Sequence, residues 1–159
     1  MNRFASALFV SLLLLTIVAC SGDKKPPTQS AVKGSGIIST LRDLSHMFEK
    51  KNLPGFMNAV SDNYQDRQAF TAALEGVFAK YETVRFTIQY TKMLIIIDEQ
   101  GGTRADFNWD SEWRTAGGSV QKNGGRVTFV FDPKETKLLS IDGKSPFVPQ
   151  LVETPGSKP

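Results

Sequence analysis

Asp106 and Asp110 are an even number of positions apart in a stretch of alternating polarity. That spacing puts both carboxylates on one strand face, where an acid–base pair would have to lie. The same face also carries Arg104, Asn108, Glu112 and Arg114, opposite Phe107 and Trp109, so it reads as a solvent-facing ladder of charge pairs. His46 is the chain's one imidazole, the natural acid–base group near neutral pH. At 100° per residue it falls well off the apolar stripe Leu41–Leu44–Phe48 and reads as a solvated helix histidine. Tyr64 and Asp66 pair a phenol with a carboxylate; the plainer alternative makes Tyr64 a packing plug and Asp66 a helix cap. Tyr90, Trp109 and Trp113 could line a ligand pocket, although an alternating aromatic face is also what a sheet buries as core. Gly117–Gly118 and Gly124–Gly125 lack the strand–loop–helix setting of a phosphate cradle and read as turn glycines. No catalytic residue, cofactor or metal site is assigned.

Composition narrows the classes further. A chain of 159 residues with 11 Phe and 2 Trp suggests one domain with a real core. The net charge of +3 carries no basic stripe, which argues against nucleic acid as a partner. With a single cysteine and a single histidine, neither a disulfide nor a transition-metal site is expected.

The elements that must position these side chains follow from periodicity. Ile37, Leu41, Leu44 and Phe48 recur at helical spacing, and the helix ends at Lys50–Lys51–Asn52. Pro54 suits the first turn of a short second helix over 54–61. Asp66 opens a third, carrying Phe70, Leu74, Val77, Phe78 and Tyr81 inward. From Thr83 the period becomes two, through Val84, Phe86, Ile88 and Tyr90. In Met93–Ile97 both faces are apolar, so this strand end should be covered on both sides, by the segment from Phe147 to Leu151 or by a second copy in a sheet-face homodimer. Asn123–Gly124 is a two-residue hairpin signal, and Val127, Phe129 and Phe131 follow on one face. Helices first and a meander of about four antiparallel strands after them make an α+β domain, with helices packed on one sheet face.

The N-terminus carries an address. Arg3 precedes an apolar run from Phe4 to Ala19, too short for the ~20 residues of a spanning helix. It ends in Ile17-Val18-Ala19-Cys20, which resembles the bacterial lipobox. The resemblance implies a signal peptide over 1–19 and acyl chains on Cys20, whose thiol is the nucleophile that takes the lipid. Removing 1–19 leaves 18 basic against 16 acidic side chains. Ser21, where an aspartate would favour retention at the inner membrane, points to the periplasmic face of the outer membrane. Residues 20–36 are polar and rich in Gly, Pro and Ser and read as a flexible tether; residues 148–159 read as a loose tail.

Ser61-Asp62-Asn63-Tyr64-Gln65-Asp66 between helices, and a sheet ending in Ile141-Asp142-Gly143-Lys144-Ser145-Pro146-Phe147, together resemble the NTF2-like superfamily over residues 37–147. The resemblance implies a cone of helices and bent sheet around an apolar pocket, often dimeric through the sheet. Its members include isomerases, dehydratases and non-catalytic binding domains. In such a cone Tyr64 at the mouth could donate to a ligand carbonyl. No strand pair is legible between the second and third helices. The expected function is a membrane-tethered, non-catalytic domain binding a small apolar ligand or an envelope protein; the alternative is a cleft enzyme of the isomerase or dehydratase type.

Overall fold

The computed structural model describes residues 28–149. Three helices come first: α1 (Gln29–Glu49), α2 (Leu53–Asn58) and α3 (Arg67–Lys80). Five strands follow: β1 (Thr83–Ile88), β2 (Leu94–Ile97), β3 (Thr103–Arg114), β4 (Val120–Phe131) and β5 (Leu138–Gly143). All strand pairings are antiparallel, in the order β1-β3-β4-β5, with β2 also on β3. The α+β expectation holds, with one strand more than the four expected.

α1 buries Ile37, Leu41, Leu44 and Phe48, the stripe its spacing demanded. It begins well before that stripe, however, and so replaces the last part of the expected 20–36 tether. The Thr28 hydroxyl accepts from the Ala31 amide at 3.3 Å, which satisfies an orphan donor of the first turn. The Lys33 ammonium donates to the Gly101 carbonyl at 2.9 Å, tying this polar stretch to the sheet. Residues 20–27 and 150–159 lie outside the described residues.

Asn52 caps α2, its side chain accepting from the Gly55 amide at 3.0 Å, with Pro54 in the first turn. α2 ends at Asn58, earlier than expected. Asp66 does stand at the N-cap of α3, but its carboxylate makes no capping bond. The cause is its left-handed backbone (φ 53°), since a capping side chain needs an extended N-cap residue to reach the N2 or N3 amide. The next residue organises the corner instead: the Arg67 guanidinium donates to the carbonyls of Val60, Ser61 and Met57 at 2.9–3.3 Å.

The sheet alternates as its sequence does. β3 buries Thr103, Ala105, Phe107, Trp109, Ser111 and Trp113, and its neighbours bury Val84, Phe86, Ile88, Val127, Phe129 and Phe131 on the same face. Two expectations fail. Asn123–Gly124 is not a turn: both residues lie inside β4, paired with Ser111 and Asp110. The chain reverses instead through Thr115–Ser119, where Gly118 takes the positive φ of 81°. The first strand also breaks at a 3₁₀ turn over Tyr90–Lys92. Ile88 pairs with Trp109 and Ile95 with Ala105, so seven steps on one side match four on β3 and three residues are extruded.

β2 consequently has one covered and one uncovered face. Leu94 and Ile96 are 54% and 46% exposed. Phe147 of the C-terminal segment does not cover them, because it lies inside the cone, fully buried; positions 150 and 151 of the expected cover lie outside the described residues. The Phe147 ring meets Phe56 and Phe86 at 4.9 Å, Phe48 at 5.2 Å, Phe129 at 5.9 Å and Phe70 at 6.4 Å between centroids. The Ser111 hydroxyl holds the segment in place by donating to the Pro146 carbonyl at 2.7 Å.

Replacing Phe147 by Ala removes a buried ring from five others and should cost about 3–5 kcal/mol in denaturant unfolding. Ser111→Ala leaves the Pro146 carbonyl buried without its donor and should cost about 1–3 kcal/mol. A loss under about 1 kcal/mol for Phe147→Ala would show that the ring is not the core's centre.

Candidate functional site

The residues expected to line a pocket do not converge. Trp109 and Trp113 share the inner face of β3, 1% and 0% exposed, as ordinary core. Trp109 lies opposite Gly125 on β4, a position with no side chain to compete for the indole's space. Both indole N–H groups are buried without a hydrogen-bond partner. They are two unused donors on the inner wall of the cone.

Tyr64 stands apart from both, at the corner between α2 and α3. Its half-buried ring stacks on Phe70 with centroids 4.8 Å apart and planes 20° from parallel. Burial raises the phenol's pKa above its ordinary value. No hydrogen bond joins it to Asp66, which is exposed. The packing role fits Tyr64, and neither role proposed for the Asp66 carboxylate is filled.

Tyr90, displaced by the 3₁₀ turn, is 43% exposed. It borders an open cleft of about 290 Å³ between α1 and β1, with Arg42, Ser45, His46 and Glu49. Partial burial raises its phenol's pKa, opposed by the charge of Arg42. His46 is exposed there, as its position on α1 required. A second open groove, about 280 Å³, runs along α3 between Ala73, Gly76, Val77 and Tyr81 and the chain at Val148–Pro149. The Tyr81 hydroxyl crosses it to Gln121 Oε1 at 3.0 Å. The first two residues of the expected loose tail therefore form a wall of this groove.

The carboxylates of β3 face outward, and all three are engaged. Asp106 accepts from Thr128 and lies 3.6 Å from Arg126; Asp110 accepts from Gln89 at 3.1 Å. Glu112 is 3.2 Å from both Lys122 and Arg114, whose hydrogen bonds lower its pKa, Lys122 most. This is the ladder that alternation implied. Among the described residues no Asp, Glu or His is buried, and no group of three or more His, Cys, Asp or Glu is placed to hold a metal. The residues that organise the interior, Phe147, Ser111 and Arg67, have no signature as ligand or catalyst. The nearest signal for Phe147 is an aromatic beside Pro146 in an otherwise polar stretch.

No family model matches the chain, and no curated protein does. Solved structures do. A candidate scytalone dehydratase from Novosphingobium aromaticivorans aligns at TM-score 0.61 with 10% identity, over 70% of this chain and 83% of that one. A candidate aromatic ring hydroxylase from the same species gives TM-score 0.61 and 11% identity over 74% and 89%. The BvnE pinacolase of Penicillium brevicompactum gives 0.52 and 12% over 68% and 84%. At such identities the likeness concerns backbone architecture alone. Helices packed inside a curved, open antiparallel sheet, shared with these proteins, give the chain the NTF2-like fold.

Proposed function

We propose that this chain is a membrane-tethered, non-catalytic domain of the bacterial envelope, holding a small apolar ligand or a protein partner. The observation that carries the reading is the chemistry of the cone. Its wall is aromatic, Phe147 fills its centre, and its buried polar side chains among the described residues are Ser61, Thr103 and Ser111. Proton transfer near neutral pH needs a titratable group against the substrate, and no described carboxylate or imidazole is buried there. The α3 groove, apolar and open, offers surface without displacing the core.

The comparisons favour a second reading at the level of fold, because a candidate dehydratase and a pinacolase share the architecture. A cleft enzyme of the isomerase or dehydratase type would use Tyr64 and Asp66 and would need Phe147 moved from the cone. A thermal-shift screen of apolar compounds against wild type and Tyr64→Phe separates the two. The first reading expects any shift to survive the substitution, with no product formed. Turnover of a compound by wild type, reduced more than about tenfold in Tyr64→Phe, would establish the second.

The anchor is a separate part of the proposal, since Cys20 lies outside the described residues. Acyl chains there, at about 0.8 kcal/mol per buried methylene, would hold the protein at the outer membrane's periplasmic face. Mass spectrometry of protein extracted from cells should find a chain that starts at an acylated Cys20; an intact leader or a free thiol refutes the anchor.

A further inference from the structure

Leu94 and Ile96 are two large aliphatic side chains left half-exposed beside Asp106 and Arg104 on the outer face of the sheet, whose far end carries a third, Val120, 42% exposed. They belong to β2, four consecutive apolar residues paired to β3 along one edge only. Adjacent exposed aliphatics of this kind mark a contact surface. What they contact is indicated by where they sit.

β2 runs into the Asp98–Gly102 turn, and the Lys33–Gly101 hydrogen bond holds that turn against the beginning of α1. α1 starts at Gln29, about 6 Å of helix before Lys33. The chain therefore enters the domain at the same end that carries Leu94 and Ile96, where Val32 is also 55% exposed. Thr28 is eight positions after Cys20, a span of at most about 29 Å. The opposite end, at the Thr115–Ser119 turn, lies the length of β3 further off, roughly 36 Å. A lipid on Cys20 holds the β2 end towards the bilayer and leaves the far turn pointing away.

We propose that Leu94 and Ile96 seat the domain on the membrane surface, their side chains entering the boundary between headgroups and acyl chains. The proposal rests on the reading of Cys20 as acylated. Lys92 and Arg104 flank the strand while Asp98 and Glu99 form its turn, all exposed. With both signs present, the seat is apolar, and neither anionic lipid nor low salt is required.

The test uses the acylated full-length product carrying Glu99→Cys, reconstituted into phosphatidylcholine vesicles that contain a brominated lipid. The lipid occupies the chain's one native sulfhydryl, so a fluorophore attaches at position 99 alone. Ala116→Cys, in the far turn, is the reference. Quenching at 99 should exceed that at 116 by at least about threefold, and Leu94→Glu with Ile96→Glu should reduce it by more than about half, at low and high salt alike. Both substituted side chains are about half-exposed, so the core is untouched. Equal quenching at 99 and 116, or no response to the double substitution, overturns the docking while an acylated Cys20 leaves the anchor standing. Reference-level quenching together with crosslinking between Leu94→Cys chains assigns the face to a second copy and also overturns it. A free thiol at Cys20 overturns both.

Discussion

Phe147 touches rings from α1, α2, α3, β1 and β4, so one side chain near the end of the described chain closes packing that five other elements begin. None of those elements can bury its apolar face alone, and the cone they form has a hollow centre unless something fills it. The Ser111–Pro146 hydrogen bond fixes where the filling arrives, linking the middle of β3 to a segment 35 residues later. The contact that closes the core is thus long-range in sequence, whereas α1 to α3 are local structures.

That arrangement sorts the chain's chemistry by face. Inside are rings, aliphatic side chains and the hydroxyls of Ser61, Thr103 and Ser111; outside are carboxylates of β3 held by Arg114, Lys122 and Arg126 of β3 and β4. A pKa suited to acid–base work comes from burying a titratable group against apolar walls. The apolar walls are present here, but the carboxylates are on the wrong side of the sheet. The shared fold of candidate dehydratases supplies a cone, and a cone alone does not supply a reaction.

Periodicity read the elements well because it reports burial directly. The α1 stripe and the inward set of β3 come from spacing alone, and so did the exposure of His46 and the outward ladder. Most of the misreadings share one cause: local signals were overruled by long-range pairing. Asn123–Gly124 has the right chemistry for a turn, yet β3 runs on to Arg114 and pairs through both residues, leaving Gly118 to reverse the chain. Asp66 has the right side chain for a cap, but its left-handed backbone aims it elsewhere. Tyr90 fits the alternation, but three residues must leave the strand before Ile95 meets Ala105. Nothing local distinguishes Phe147 as a core plug from Phe147 as surface cover, since that depends on where the Pro146 carbonyl finds its donor.

The two unpartnered indoles bear on where a ligand could go. An unsatisfied buried N–H costs about 1–3 kcal/mol. Burying a tryptophan removes 150–250 Å² from water, roughly 4–6 kcal/mol at about 25 cal/mol/Å². Trp109 and Trp113 therefore stabilise the core with their donors idle, and the fold needs no ligand to hold. A ligand at the centre of the cone must displace Phe147, whose ring packs against five others there. A partner on the open α3 groove bears no such cost. On the non-catalytic reading proposed above, the filled cone favours recognition at its surface.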